Sequence, residues 1–237
     1  MKNFSLFLNT RKRVNLLSNL ISSISDTTKD LDSIELIISV DDDDKQTISF
    51  LDKIVSDINF DLTVLQQPRP DNLHKSINHM ASIAKGHALF VLNDDVEFMT
   101  QDWDSLTIES MGHSFWGAAY IKTYDTSIDK MFSSEYSSFP ILTKPAYNSI
   151  QYFMSEQFVS HGADVHLWRL CDELGWVFDS PILLDHVLHS SEKAIRKSLE
   201  EETAKEAVEL TFSNFVNCWE VDVTAEAEAI KKRLCGC

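Results

Sequence analysis

The sequence predicts an α/β fold, with a mostly parallel central sheet, helices on both of its faces, and further helices at the C-terminus. Short apolar runs alternate with helical periodicity through the first half of the chain, and these runs are apolar on both faces. Strands that alternate with helices in this way lie parallel, because each helix carries the chain back across the sheet. The 237 residues, 43% hydrophobic and 24% charged, suffice for one such domain, alone or with an appendage.

The first half supplies four strands and three helices in strict alternation. Three stretches repeat apolar residues every three or four positions, which indicates helices packed on one face, and their apolar stripes begin at Val14, Ile48 and Leu73. The apolar runs between them predict strands at 4–8, 34–40, 62–65 and 88–92.

The second half is less regular. It predicts a helix ending over 106–111, a strand at 115–120, a long loop or lid over 123–140, a helix over 165–174 ended by Gly175, and short strands at 176–178 and 182–184. An amphipathic helix is predicted from 191 to 219, with a weaker segment over 221–234. The predicted units are a main domain, 1–190, and a helical extension, 191–237, packed on that domain or on a partner subunit of a homo-oligomer.

The net charge restricts the classes of partner that the chain can bind. Asp and Glu number 37 against 21 Lys and Arg, so the formal net charge is -16. Nucleic acid and anionic lipid favour basic surfaces, so we expect neither as a partner. The run at 4–8 is too short for a signal peptide or a membrane span, and no later run is long enough, so we predict no integral membrane segment and a cytoplasmic location. The four cysteines lack the paired spacing of a zinc site.

Two acidic clusters follow predicted strands directly. Residues 41–44 are four consecutive aspartates, and Asn93, Asp94 and Asp95 follow the fourth strand. Ligands of open α/β sheets bind beyond the carboxyl ends of the strands, so both clusters are expected at one edge. Oxygen ligands suit Mn²⁺ or Mg²⁺, and such a cation would offset the charge of a diphosphate. A solvated loop and a simple Asx turn are the alternatives.

Three later residues are further candidates. Asp164 starts a predicted helix, where a carboxylate is either a general base or an N-cap. His186 and His189 follow a short strand and could complete a metal site or contact phosphate. His166 is better explained as helix surface or core. No glycine-rich phosphate loop occurs among the six glycines.

Taken together, these segments resemble the GT-A fold glycosyltransferases, particularly the family 2-like group. The matching segments are the opening strand with its 10–13 turn, the second strand ending in Asp41 and Asp42, the helix that contains Asn78, and residues 84–95, which look like the family's A-x-G, apolar strand and D-x-D block. Asn93 stands where that block has its first Asp.

The resemblance implies roles for individual residues. Asp41 or Asp42 would contact the nucleobase, Asn93 the sugar side of the nucleotide, and Asp164 the acceptor. The metal would lie on Asp95, with His186 or His189 near it. The complete predicted nucleotide-binding set is Thr10, Arg11, Arg13, Asp41, Asp42, Asn78, Asn93 and Asp94.

The predicted function is therefore a metal-dependent glycosyltransferase that uses a UDP- or GDP-linked sugar and Mn²⁺ or Mg²⁺. Asp164 would deprotonate the acceptor hydroxyl of a glycan, lipid or protein, with inversion at the sugar carbon. One rival is a sugar-nucleotide nucleotidyltransferase, which normally holds a triphosphate with a glycine-rich basic loop, whereas residues 9–13 contain no glycine. The other is a noncatalytic nucleotide- or carbohydrate-binding module, for which Asn93 is the best support.

Overall fold

A computed structural model describes residues 2–126, 136–158, 162–186 and 218–235. The described residues form one eight-stranded sheet. Its strands are β1 (Phe4–Thr10), β2 (Ile34–Asp41), β3 (Asp61–Gln67), β4 (Ala88–Val91), β5 (Val96–Phe98), β6 (Tyr120–Asp125), β7 (Ile141–Thr143) and β8 (Val177–His186). The four strands predicted in the first half are confirmed, with ends that differ by at most two residues.

Helices cover both faces of this sheet. They are α1 (Val14–Thr27), α2 (Lys45–Ile54), α3 (Leu73–Ile83), α4 (Trp103–Met111), α5 (Lys144–Ile150), α6 (Ala163–Glu173) and α7 (Thr224–Cys235). One core packs α1 and α4 on the face that carries Phe4, Leu6 and Leu8. The other core packs α3, α5, α6 and α7 on the opposite face, which carries Phe7. The predicted fold class is confirmed.

The strand order is β3-β2-β1-β4-β7-β6-β8-β5. Strands β1 to β4 form a parallel block, as predicted. Strand β7 is antiparallel to both β4 and β6, while β8 is parallel to β6 and antiparallel to β5. Following these directions across the sheet shows that β1, β2, β3, β4, β6 and β8 all point the same way. Their carboxyl ends therefore share one edge, which we call the carboxyl edge.

Several second-half predictions need correction. The predicted strand at 115–120 is wrong, because its first two residues end a 3-10 helix, Gly112–Trp116, residues 117–119 are irregular, and β6 starts only at Tyr120. The predicted loop over 123–140 begins inside β6, and its residues 127–135 lie outside the described part of the chain. The two short strands near 176–184 are one strand, β8. Pro181, inside β8, lies where the pairing with β6 shifts register, a place that tolerates a residue without an N–H.

The C-terminal residues that the structure describes pack against the main domain. Ala227 and Ile230 of α7 are fully buried in the core that includes α5 and α6. Arg169 of α6 donates hydrogen bonds to the carbonyls of Cys218 and Val221, at 2.7 and 2.8 Å. The helix predicted over 191–219 lies outside the described residues except for its last two, so the boundary at 190 remains a prediction. Within the described ranges, no helix combines the length and apolar character needed to cross a bilayer.

Gly86, the glycine of the A-x-G segment, fills a space that admits no side chain. A Cβ built there would lie 2.5 Å from the amide nitrogen of Ser5 and 2.6 Å from the carbonyl carbon of Phe4. Both atoms belong to the backbone of buried β1, so moving them would disturb the packing of the core. We expect Gly86→Ala to lower the free energy of unfolding by about 1–3 kcal/mol, measured by urea denaturation. Gly117→Ala is the matched control, since its Cβ would meet nothing closer than 3.5 Å, and equal stability of the two variants would contradict the expectation.

Candidate active site

The turn between β1 and α1 connects the two acidic clusters at the carboxyl edge. Thr10 Oγ1 donates a hydrogen bond of 2.7 Å to Asp94 Oδ2. Arg13 Nη1 lies 3.0 Å from Asp94 Oδ1 and 3.4 Å from Asp95 Oδ2. Parallel pairing of β1 with β4 places this turn beside the end of β4, so the contacts follow from the topology. The structure thus joins the predicted residues Thr10, Arg13, Asp94 and Asp95.

The same turn reaches the cluster after β2. Arg11 Nη1 donates to Asp41 Oδ2 at 2.6 Å and also to Asp43, while Nη2 donates to Asp43 Oδ2 at 2.7 Å. These hydrogen bonds lower the pKa of Asp43 and raise that of Arg11. Lys12 has a left-handed backbone, with φ of 55°, and its amide donates to Asp44 Oδ2. The basic turn is therefore held in place on both sides.

The four aspartates at 41–44 play different parts. Asp44 is the N-cap of α2 and accepts hydrogen bonds from the amide and the hydroxyl of Thr47, at 3.2 and 2.6 Å. Asp41 is buried against Arg11, whereas Asp42 and Asp43 are exposed. The expectation of a solvated loop describes these two exposed residues. Asp41 lies at the end of a buried strand, where a rigid carboxylate can recognise a ligand.

The turn after β4 holds two buried carboxylates beside an exposed amide. Asp94 and Asp95 are buried, and Asn93 is exposed. Burial raises the pKa of Asp94 above its usual value, although Thr10 and Arg13 oppose it. Burial also acts to raise the pKa of Asp95, but interactions with His186 and Arg13 outweigh burial and lower it. Asp95 is therefore the carboxylate of this turn that stays charged more readily.

His186 lies next to Asp95 because of the sheet register. Antiparallel β5 and β8 pair Val96 with His186, so the residue before Val96 meets the histidine. His186 Nε2 is 3.4 Å from Asp95 Oδ1, and Nδ1 is 3.1 Å from Asp125 Oδ2. Burial lowers the pKa of His186, but the two carboxylates more than compensate and raise it to about 9. Asp125 was not among the predicted site residues, since it fell within the predicted loop over 123–140.

One carboxylate oxygen of Asp95 is buried without a hydrogen bond from the described residues. This atom is Asp95 Oδ1, and His186 Nε2 lies 3.4 Å from it as an ion-pair neighbour. Buried polar atoms rarely lack a partner, so such an atom suggests a ligand or ion. Two atoms that bind one ion at about 2.1 Å and at a right angle lie about 3.0 Å apart. The 3.4 Å between Asp95 Oδ1 and His186 Nε2 therefore suits a shared cation.

The ligands that the described residues offer do not by themselves complete a metal site. Among the residues that the structure describes, no group of three or more His, Cys, Asp or Glu is arranged to hold an ion. His189, predicted as a metal ligand, lies outside the described residues. Mg²⁺ is often held by one or two carboxylates together with substrate phosphates and water. The pair of Asp95 and His186 fits a cation that arrives with a phosphate ligand.

Asp164 is the second residue of α6. The N-cap of α6 is Gly162, with φ of 97° and no side-chain cap, so Asp164 is not the N-cap of the helix. Asp164 is half-buried, and its charge adds to burial in raising the pKa of Tyr136 to about 12. Residues 174–176 return the chain from α6 into β8, which turns the first residues of α6 toward the carboxyl edge. Asp164 thus lies near the carboxyl edge, on the face of the sheet that α3 and α5 cover.

Asn78 uses its amide within the chain. Its Oδ1 accepts from the amides of Phe153 and Met154, both at 2.9 Å. Its Nδ2 donates to the Met154 carbonyl at 2.8 Å and to Glu156 Oε1 at 3.0 Å. These four bonds attach α3 to the segment that leads toward α6. A nucleotide contact by Asn78 stays a prediction and would compete with these bonds.

Sequence reasoning also missed a buried polar cluster near the carboxyl edge. Gln67 Nε2 donates to the hydroxyls of Ser39 and Ser76, at 2.6 and 2.7 Å. Ser76 Oγ in turn donates to Asn9 Oδ1 at 2.6 Å. These residues come from three strands and α3, so they are far apart in sequence. No local pattern would have grouped them.

Comparison with known families fits this geometry. Residues 5–160 match the sequence model of Glycosyl transferase family 2. The chain belongs to this family. The matched segment includes the basic turn, both acidic clusters and Asn78, and it ends before Asp164 and His186. No curated protein matches this family 2 chain significantly in sequence.

Solved structures share the fold of this family 2 chain. S. aureus TarS aligns with a TM-score of 0.64 at 15% identity, over 92% of this chain and 43% of that one. TarS 1-349 in complex with UDP gives 0.62 at 14% identity, over 97% and 69%. The mannosyltransferase PcManGT from Pyrobaculum calidifontis, in complex with GDP-Man and Mn²⁺, gives 0.62 at 10% identity, over 96% and 73%. The family 2 chain spans less than half of TarS, and its predicted GT-A fold is confirmed.

Proposed function

We propose that this chain is a metal-dependent glycosyltransferase that moves a sugar from a nucleotide-diphosphate sugar to an acceptor hydroxyl, with inversion. The observation that carries the proposal is the convergence of Asp95, Arg13 and His186 at the carboxyl edge of a family 2 domain. Ligands of open α/β sheets bind at this edge. TarS 1-349 is in complex with UDP and PcManGT with GDP-Man, which supports a UDP- or GDP-linked donor.

The nucleotide would lie across the basic turn. Asp41 is the last residue of β2 and Asp42 follows it directly. A carboxylate at this strand end can accept hydrogen bonds from a base or a ribose. Arg11 braces Asp41, and Asn93 is exposed beside the second cluster. Thr10 and Arg13 fix the orientation of Asp94. These contacts pre-organise the edge for a nucleotide without a glycine-rich loop.

Asp95 and His186 would hold Mn²⁺ or Mg²⁺ in the loaded enzyme. When bound, such an ion acts as a Lewis acid that offsets the charge of the departing diphosphate. Arg13 contacts the other oxygen of Asp95 at 3.4 Å and orients that carboxylate. The PcManGT complex with Mn²⁺ supports this choice of ion.

Asp164 would accept the proton of the acceptor hydroxyl. A base on the acceptor side supports attack on the face of the sugar opposite the leaving group, and such attack inverts the anomeric carbon. The acceptor is the hydroxyl of a glycan, lipid or protein.

The test is a calorimetric titration of the protein with UDP and with GDP, each with and without Mn²⁺. We expect one of the two nucleotides to bind, and Mn²⁺ to increase its affinity. Absence of binding for both nucleotides under all conditions would overturn the proposal. Binding that Mn²⁺ leaves unchanged would overturn the metal dependence and leave the nucleotide assignment intact.

A second candidate is a noncatalytic nucleotide- or carbohydrate-binding module with the same fold. Asn93 favours it, because an amide in place of the first Asp of D-x-D reduces the negative charge offered to a metal. Donor binding without hydrolysis or transfer across a broad panel of acceptors would support this candidate. Release of UDP or GDP from a nucleotide sugar would exclude it.

A further inference from the structure

Two carboxylates from different strands bracket the imidazole of His186. Strand β8 lies between β6 and β5 in the sheet. Asp125 is the last residue of β6, and Asp95 immediately precedes β5. The ladders pair Asp125 with Leu184 and Val96 with His186. Backbone pairing on both sides of β8 therefore places the three side chains in a row.

The row has a defined order of atoms. Asp125 Oδ2 is 3.1 Å from His186 Nδ1, and Asp95 Oδ1 is 3.4 Å from His186 Nε2. The side chains of Asp125 and Asp95 are 3% and 5% exposed, while that of His186 is 18% exposed. The ring of Phe139 packs edge-on against the imidazole, with centroids 5.3 Å apart. The imidazole is thus restrained by a carboxylate and by an aromatic ring.

Hydrogen-bond chemistry assigns a different task to each ring nitrogen. An ionised carboxylate only accepts hydrogen bonds, so Nδ1 donates to Asp125, and Nε2, which faces Asp95, releases its own proton when it binds a cation. This arrangement directs Nε2 to the side of Asp95. A carboxylate that holds a metal-binding histidine in this way typically improves metal affinity by 10- to 100-fold.

We infer that Asp125 is a positioning residue, which holds His186 so that Nε2 and Asp95 Oδ1 face one cation-binding point. The inference rests on the proposed function, since it specifies how the cation of that donor site is held. The contribution of Asp125 is to the orientation of the ring.

The test compares Asp125→Asn with Asp185→Asn. Asp185→Asn is the matched control because it removes the same charge from the residue next to the same histidine. The carboxylate of Asp185, however, accepts a hydrogen bond from Thr126 Oγ1, with its Oδ1 at 2.5 Å. Mn²⁺ affinity is measured by electron paramagnetic resonance with saturating UDP or GDP. Metal-free nucleotide affinity is measured by calorimetry.

We expect Asp125→Asn to weaken Mn²⁺ binding by about 10- to 100-fold while metal-free nucleotide affinity stays unchanged, and Asp185→Asn to retain Mn²⁺ binding. Unchanged Mn²⁺ affinity in Asp125→Asn would overturn the inference. Equal losses in the two variants would also overturn it, because they would reflect loss of negative charge and not orientation.

A measurement on the unmodified, metal-free protein makes the inference independent of whether the variant folds. Nitrogen-15 NMR should show a downfield, slowly exchanging His186 Nδ1–H resonance, assigned by its loss in His186→Gln. Absence of that resonance would overturn the inference even if Mn²⁺ and nucleotide bind. Its presence in a protein that binds no nucleotide would support the orientation by Asp125 and overturn the proposed function alone.

Discussion

Replacement of Asp95 with asparagine should remove metal-dependent nucleotide binding and lower turnover of the nucleotide sugar at least about 100-fold. A bound cation contributes several kcal/mol to stabilising the charge of the leaving group, and each 1.36 kcal/mol corresponds to about a tenfold change in rate. Asn keeps the size of Asp95 and one oxygen, but it loses the charge that lies between Arg13 and His186. The measurement is release of UDP or GDP together with calorimetry in the presence and absence of Mn²⁺.

Glu97→Gln is the control for Asp95→Asn. It removes one negative charge two residues away, from a partly buried side chain that accepts a hydrogen bond from Asn19 at 3.0 Å. Circular dichroism and urea denaturation establish that both variants fold. A folded Asp95→Asn with the turnover and Mn²⁺ response of the unmodified protein would show that Asp95 does not hold the cation.

The parallel half of the fold was predictable because its determinants are local. Strands β1, β2 and β4 are buried apolar runs, β3 carries a short and partly buried one, and each intervening helix has one apolar stripe, so these patterns are visible in the sequence. The meeting of the acidic clusters followed from parallel strands alone, since their carboxyl ends share an edge. The contacts of one turn with both clusters, Arg11 with Asp41 and Arg13 with Asp94, bear out this convergence.

The antiparallel half was less predictable because its strands are short or interrupted. Strands β5 and β7 have three residues each, too few to show a period. Strand β6 carries Lys122 and Tyr124, which gave its end the character of a loop. Asp125 was therefore missed, although an acidic residue at the carboxyl end of a recognised strand would have been noticed.

Charge pairing at the site could not be read from the sequence. The acidic clusters suggested a concentration of negative charge, yet the structure places Arg11 against one cluster and Arg13 against the other. Arg11 lies 30 positions from Asp41 and Arg13 lies 81 positions from Asp94, so only the folded topology brings them together. The buried Asp95, where a cation is proposed to bind, contacts both Arg13 and His186.

Replacement of Asp164 with asparagine should lower kcat for transfer by about 10²- to 10⁴-fold, the usual contribution of a general base. The KM for the nucleotide sugar should stay within about twofold, because a residue that acts only on the acceptor proton contributes nothing to donor binding. The measurement is nucleotide release from the UDP- or GDP-linked sugar with a panel of hydroxyl acceptors. NMR of the product reports the anomeric configuration, and we expect inversion.

Asp172→Asn provides a matched control on the same helix. The Asp172→Asn substitution is the same chemical change at an exposed position near the end of α6, eight residues from Asp164. If Asp164→Asn transfers sugar as fast as Asp172→Asn, another group must accept the proton. If it loses donor affinity and kcat together, Asp164 belongs to the donor side. A loss confined to kcat, with unchanged Mn²⁺ and nucleotide affinity, would separate the base from the cation site, since Asp95 and His186 would still hold the metal.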